Sequence, residues 1–168
     1  MARLLKAAGI ALVLVFAIVL ARTFLHTPQA DASGQAMNIP VDADKIAAHL
    51  SEAIRFRTVS YQDDAERQQD QFDGFIAWVK ATYPEVDRSL ALIRLNDTLL
   101  FKWAGSEADL PPILVTGHYD VVPVIPGTES AWQHPPFDGV IADGVIWGRG
   151  ALDDKSAVVA ILEATTVL

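Results

Sequence analysis

The chain begins with a short basic segment followed by an apolar stretch. Ala7–Ala21 holds fifteen residues without a charge, with Arg3 and Lys6 before it and Arg22 after it. A basic start with a short apolar core is typical of an export signal, and the run is only slightly shorter than a membrane-spanning helix. A cleaved signal and a retained anchor both remain open. Because basic residues before the core stay in the cytoplasm, both place the following polypeptide outside the membrane.

This segment sets the predicted domain organisation and location. Ala30-Asp31-Ala32 offers a small-x-small cleavage site. We therefore assign residues 1–32 to a signal peptide or N-terminal membrane anchor with a short linker. Residues 33–168 form the folded part, which we expect to be exported and either membrane-anchored or secreted into a compartment such as the periplasm.

Beyond residue 40, apolar side chains recur every three or four positions in two stretches, which predicts two amphipathic helices. The first is capped by Asp42 or Asp44 and runs to about Phe56. The second starts near Asp64 and ends before Pro84, because proline cannot continue a helix.

The pattern then changes to that of strands. Residues 89–103 and 140–147 each hold two short apolar runs around a turn, which predicts two hairpins. Ile113–Thr116 is a continuous apolar run, typical of a strand buried on both faces. A final helix is predicted over 157–168. Helices and strands in this order predict an α/β sandwich with a mixed sheet.

Composition narrows the functional classes. The formal net charge is −8, which argues against non-specific binding of nucleic acid. The chain has no cysteine, which excludes disulfides and thiolate metal ligands. Any metal site in this sequence must therefore use His, Asp and Glu.

The first candidate for such a site is His118 with Asp120. Both follow the predicted strand, at the edge where ligands commonly bind in α/β sheets. Residues two apart point the same way in an extended chain, so the carboxylate can accept one imidazole N–H. The other ring nitrogen is then free for a divalent metal. By itself, a His-x-Asp sequence is more often a polar loop than a site.

The second candidate is Asp153, which follows the turn Gly148-Arg149-Gly150 and precedes the last helix. An aspartate at that position often serves only as a helix N-cap. We assign that role to Asp154, which leaves Asp153 to face a cleft. Lys155 is interpreted as a solvated or locally paired charge, and His134 as a surface-loop residue.

Three motifs in order, GHYDVVPV, WQHPPFDG and DGVIWGRGALDDK, resemble peptidase family M20, and within it the carboxypeptidase S branch. The resemblance implies a three-layer α/β/α sandwich with a mixed sheet, as in zinc exopeptidases. It implies that His118 binds one zinc, that Asp120 orients this imidazole as part of the catalytic machinery, and that Asp153 bridges two zinc ions. Cobalt or manganese would also suit these ligands. Ser156 stands where many relatives have glycine.

The implied reaction is hydrolysis of an amide bond next to a free carboxylate, in a short peptide or an N-acyl amino acid. Family members also use a downstream glutamate pair, another acidic ligand and a distal histidine, none of which lies within these 168 residues. We therefore interpret residues 33–168 as the N-terminal portion of an M20 catalytic domain, inactive by itself. A later domain of the family makes a homodimer of the full-length protein a further expectation. The alternative is a non-catalytic, membrane-tethered binding module with the same fold.

Overall fold

The computed structural model describes residues 2–26, 39–107 and 109–168. The chain divides into two compact units, Met1–Asn38 and Ile39–Leu168. In the first unit, helix α1 (Ala2–Leu25) is long and apolar enough to cross a membrane. A signal sequence near an N-terminus can have the same length and composition. The predicted cleavage site at Ala30-Asp31-Ala32 and most of the linker lie outside the described residues.

Four helices belong to the second unit, and their ends follow local sequence signals. Helix α2 (Ala43–Arg55) begins after Asp42, whose side chain accepts a hydrogen bond from the Lys45 N–H at 3.0 Å. Helix α3 (Gln69–Thr82) starts later than predicted, because a short 3-10 turn occupies Asp64–Glu66. The remaining two helices are α4 (Pro84–Ser89) and α5 (Lys155–Val167).

Proline 84 has two roles at the junction of α3 and α4. It ends α3, as predicted, and it also occupies the start of α4. Proline suits the first position of a helix because the N–H that it lacks would have no partner within the helix there. The sequence pattern predicted only the first of these roles.

Both predicted hairpins are present. Strands β1 (Ala91–Leu95) and β2 (Thr98–Lys102) pair antiparallel, as do β3 (Val140–Ala142) and β4 (Val145–Trp147). Each hairpin turns through residues with positive φ, which Asn, Asp and Gly tolerate: Asn96 at 54° in the first, and Asp143 at 53° with Gly144 at 75° in the second.

The strand predicted at Ile113–Thr116 is wrong for the described residues. Ile113, Leu114 and Val115 are 91, 75 and 65% exposed, and no backbone hydrogen bond among the described residues involves this segment. A strand exists only through pairing, and no described segment pairs with this one. The run is apolar enough for a buried strand, but it has no partner strand among the described residues.

The fold is therefore a mixture of helices with small sheets. Within the described residues, the sheets are two separate antiparallel pairs and not the predicted mixed sheet of a three-layer sandwich. One isolated parallel bridge joins Val59 to Val121. Phe75 and Val79 of α3 pack with residues of α2, α4 and α5 to form the core, whose other buried members are Ala53, Tyr83, Val86, Val159 and Leu162.

A polar cluster is buried beside this core. The Tyr83 hydroxyl donates to Glu163 Oε1 at 2.8 Å and lies 3.2 Å from His49 Nδ1, which also contacts Glu163. Burial and the neighbouring carboxylate raise the pKa of Tyr83 well above its ordinary value of 10.0. The cluster links α2, α5 and the α3–α4 junction, so His49 faces inward.

Gly139→Ala is expected to destabilise the folded unit. Gly139 has a φ of 60°, and a Cβ there would lie 2.2 Å from the Ser51 backbone oxygen. Because that oxygen belongs to the backbone and cannot move freely, we expect the free energy of unfolding to fall by about 1–3 kcal/mol. Denaturant unfolding measures the loss. Gly105→Ala, where no atom of the described residues lies within 4 Å, is the control and should change stability by less than about 0.5 kcal/mol. Equal effects of both substitutions would contradict the prediction.

Candidate metal centre

The structure brings His118 and Asp153 together although they are 35 positions apart in the chain. His118 lies on the loop after residues 113–116, and Asp153 lies in the turn before α5. His118 Nε2 is 3.0 Å from Asp153 Oδ1, and the two side chains are 52 and 87% exposed. Two ligands about 2.0–2.2 Å from a shared tetrahedral zinc would be about 3.4 Å apart. The observed separation is close to this value, so the pair suits a shared divalent cation.

Asp120 lies behind the imidazole and contacts it through two groups. His118 Nδ1 is 3.0 Å from the Asp120 backbone oxygen and 3.2 Å from its Oδ1. The carboxylate was expected, whereas the carbonyl was not. Both acceptors hold a proton on Nδ1. Nε2, which faces the Asp153 carboxylate, is therefore the ring nitrogen that would bind a metal on losing its own proton.

The same neighbours set the pKa of His118. Partial burial of the imidazole lowers this pKa. The hydrogen bonds to the Asp120 backbone and to Asp153 raise it, as do the charges of both carboxylates, and these effects outweigh burial. The net result is a pKa raised above the ordinary value of 6.5. The local field thus favours a positive charge next to the two carboxylates, whether a proton or a metal ion provides it.

Asp154 occupies the N-cap position of α5, as predicted, but its side chain makes no capping hydrogen bond. Instead, its Oδ2 accepts a hydrogen bond from the backbone N–H of His118 at 3.3 Å. The neighbouring carboxylate of Asp153 is left free to face the imidazole. The two adjacent aspartates therefore approach the same histidine, one at its backbone and one at its ring.

The interpretation of Lys155 as a solvated or locally paired charge is wrong. The residue is fully buried, and its Nζ donates to the backbone oxygens of Ala53 at 2.8 Å and Phe56 at 2.6 Å. These oxygens lie at the C-terminal end of α2, where carbonyls lack partners within the helix and a cation is favoured. Burial lowers the pKa of Lys155 to about 7. The lysine thus ties the Asp153 turn to the end of α2.

The glycine turn that precedes Asp153 is needed for this packing. Gly150 has a φ of 87°, and a Cβ there would lie 2.7 Å from Val121 Cγ1 and 3.2 Å from Lys155 Cδ. A side chain would therefore push apart the His118 loop and the buried lysine. This explains the glycine in physical terms, through both backbone conformation and close approach.

The two arms of the site share one support, the ring of Phe75 in α3. The Tyr119 ring, between His118 and Asp120, stacks on it with centroids 4.4 Å apart and planes 3° apart. Lys155 Nζ lies 5.6 Å from the centroid of the same ring. Phe75 is 1% exposed, so it is held by the core. The imidazole arm and the carboxylate arm therefore have a common anchor.

His134, which was interpreted as a surface-loop residue, is not brought into this pair. His134 lies against Trp147, with ring centroids 5.1 Å apart, in keeping with a loop role. Within residues 2–26, 39–107 and 109–168, no group of three or more His, Asp or Glu side chains is arranged to hold a metal ion. The site consists of two facing groups and their supports.

Sequence reasoning missed two supporting residues, Ser60 and Lys155. For Lys155 a signal existed, because Lys155, Val159 and Leu162 are spaced four and three apart and form the buried face of α5. Ser60 has no such signal. Its side-chain partner is Asp120, 60 residues later, and a polar loop shows no pattern that reveals a distant partner.

The class of the protein follows from comparison with family models. Residues 114–168, which carry both arms of the site, match the model described as Peptidase family M20/M25/M40. The chain belongs to peptidase family M20. It is 42% identical over 123 residues to Probable carboxypeptidase S-like 2 of Dictyostelium discoideum, a match that covers 71% of this chain and 23% of that protein.

Two other relatives extend the comparison. Carboxypeptidase S of Saccharomyces cerevisiae is 36% identical over 123 residues, which are 68% of this chain and 21% of that protein. N-fatty-acyl-amino acid synthase/hydrolase PM20D1 of Xenopus tropicalis is 35% identical over 175 residues, which cover 98% of this chain and 33% of that protein. The chain thus spans between about a fifth and a third of the length of these relatives. Together, the matches support a hydrolase.

Lys155→Met is expected to destabilise the folded unit in a pH-dependent way. The variant leaves the Ala53 and Phe56 oxygens without their donor, which costs about 1–3 kcal/mol for a buried unsatisfied group. The pKa of Lys155 is about 7 in the fold and 10.5 ordinarily, so the unfolded chain binds more protons between these values. The free energy of unfolding of the parent therefore rises with pH in this window, and the variant lacks that rise.

Urea unfolding at several pH values above 7 measures the effect. The stability difference between parent and variant should widen as the pH rises from about 7 to 9. Lys102→Met, at an exposed strand position, is the control and should change stability by less than about 0.5 kcal/mol at each pH. If the stability difference between the parent and Lys155→Met were the same at every pH, burial would not lower the pKa of this amine.

Proposed function

We propose that this chain is part of a zinc-dependent hydrolase that cleaves an amide bond next to a free carboxylate. In this proposal His118 binds zinc through Nε2, and Asp153 bridges two zinc ions. The observation that carries it is the 3.0 Å approach of His118 Nε2 to Asp153 Oδ1, with Asp120 behind the ring. Cobalt or manganese would suit the same nitrogen and oxygen ligands.

Each residue of the site has a distinct task. Zinc, when bound, polarises a carbonyl and makes a hydroxide available at neutral pH. His118 presents a neutral ring nitrogen, and Asp120 keeps the proton of that ring on the opposite side. Asp153 places negative charge where the cations bind. These tasks need a fixed geometry, which the buried supports on Phe75 and α2 provide.

The substrate class is proposed from the names of the relatives. One group is named as carboxypeptidases and another as an N-fatty-acyl-amino acid synthase/hydrolase. The bond common to a peptide C-terminus and an N-acyl amino acid is an amide on the nitrogen of an amino acid with a free carboxylate. We therefore propose a short peptide or an N-acyl amino acid as substrate.

We further propose that Ile113–Thr116 becomes a strand of a three-layer α/β/α sandwich in the complete domain. Its exposed apolar side chains and unpaired backbone support this, because both would be satisfied inside a sheet. Helix α1 would act as a signal or as a membrane anchor for an exported domain, and the full-length protein would be able to form a homodimer.

The hydrolase is tested on the complete polypeptide that contains this chain. His118→Ala and Asp153→Ala should each abolish amide hydrolysis and lower the zinc content, because each removes a proposed ligand. Asp120→Ala should impair hydrolysis while more zinc is retained. Activity on an N-acyl amino acid and zinc content by elemental analysis are the measurements.

His134→Ala is the matched histidine control, since this ring packs on Trp147, and it should keep the parent's zinc content. Full activity in Asp153→Ala would rule out the bridging role. A complete polypeptide that binds substrate but hydrolyses none would instead favour a non-catalytic binding module.

The 168-residue chain alone is expected to be inactive and to bind zinc weakly. Protein zinc sites normally use at least three protein ligands, and the described residues bring two together. Titration against a chromophoric chelator measures the affinity. Tight binding of zinc in a whole-number ratio by the isolated chain would contradict this expectation.

A further inference from the structure

Ser60 holds the far side of the carboxylate that orients His118. Ser60 Oγ donates a hydrogen bond to Asp120 Oδ2 at 2.6 Å. The other oxygen of the same carboxylate, Oδ1, is 3.2 Å from His118 Nδ1. The carboxylate therefore lies between a hydroxyl donor and the imidazole, with one oxygen committed to each.

Ser60 is itself fixed by its backbone. The Ser60 N–H donates to the Val121 oxygen at 3.0 Å, and the Val121 N–H donates to the Thr58 oxygen at 2.9 Å. Thr58 is fully buried, and its hydroxyl donates to the Tyr119 oxygen at 2.5 Å. Residues 58–60 thus run beside residues 119–121 as a short parallel pair, which gives the Ser60 hydroxyl a defined position.

The Asp120 side chain needs such a partner because it is 45% exposed. Without a donor on Oδ2, the carboxylate is free to rotate toward water, and its contact with the imidazole weakens. A hydrogen bond to a charged oxygen is stronger than one between neutral groups, so a single hydroxyl is able to decide this orientation. The orientation matters because outer partners of a metal-binding histidine fix its tautomer and its basicity.

We propose that Ser60 is a positioning residue for the metal centre. It holds Asp120 in the orientation that keeps the His118 proton on Nδ1, and in this way it raises the affinity of the His118–Asp153 pair for zinc. The inference rests on the proposed function, because it requires His118 to be a zinc ligand. In this proposal Ser60 orients Asp120, Asp120 orients His118, and His118 binds the metal.

The experiment measures zinc affinity of the complete polypeptide by competition with a chromophoric chelator, with zinc alone as the probe. Ser60→Ala should weaken zinc binding about 10-fold, the lower end of the range for outer partners of a metal ligand. Because the backbone bonds of residue 60 remain, the melting temperature of the metal-free protein should stay within about 2 °C of the parent. Ser60→Thr keeps the hydroxyl and suits an extended segment, so it should restore parent affinity.

Thr58→Val is the matched control. It removes the neighbouring hydroxyl, whose partner is a backbone oxygen and not the Asp120 carboxylate. This variant should lower the melting temperature while changing zinc affinity much less than Ser60→Ala does. If Thr58→Val and Ser60→Ala weakened zinc binding equally, the effect would come from packing of the loop and the proposal would be wrong.

A double-mutant cycle tests the route of action, and it does not depend on Ser60→Ala folding as well as the parent. If Ser60 acts through Asp120, then adding Ser60→Ala to Asp120→Ala should cause no further loss of zinc affinity. A full additional 10-fold loss would overturn the proposal. So would a Ser60→Ala variant that binds zinc as tightly as the parent.

The same assay separates this inference from the function on which it rests. If His118→Ala bound zinc as tightly as the parent, His118 would not be a zinc ligand. The proposed role of Ser60 would then be rejected together with the proposed metal site. Weak binding by His118→Ala together with unchanged binding by Ser60→Ala would reject only the positioning role.

Discussion

The ring of Phe75 lies between the two segments that form the site. Tyr119 stacks on it at 4.4 Å, and the ammonium group of Lys155 lies 5.6 Å from its centre. His118 is adjacent to Tyr119 in the chain and Asp153 is two positions from Lys155, so both facing groups lie close to residues that contact one buried ring. Phe75 in turn belongs to the core that joins α2, α3 and α5. A change in helix packing would therefore be transmitted directly to the distance between the imidazole and the carboxylate.

The groups that face each other are exposed, whereas the groups that hold them are buried. His118 and Asp153 are 52 and 87% exposed, but Lys155 and Thr58 have no exposed surface. In the proposed function these two groups must be reached by substrate and water, and exposed side chains lack the packing that fixes a rotamer. The buried supports supply the order that the exposed groups cannot supply for themselves.

Membership of peptidase family M20 is consistent with this division of labour. The family model matches residues 114–168, which contain both arms of the site. The supports Phe75 and Ser60 lie before that range, in the part of the chain that the longer matches to relatives include. The helices before residue 114 thus serve the same site as the motifs after it, because they carry the surfaces on which those motifs rest.

The sequence by itself determined the local elements and the identity of the facing groups. Helical periodicity placed α2 and α3, and turn residues placed both hairpins. These signals are local, since they depend on residues a few positions apart. His118 and Asp153 were singled out by the resemblance of three ordered motifs to a known family. Only the tertiary structure decided that the Lys155 amine meets the carbonyls at the end of α2, that Ser60 holds Asp120, and that Ile113–Thr116 is unpaired among the described residues. Each of these depends on what lies beside a residue from a distant part of the chain, and local sequence patterns carry no information about that neighbour.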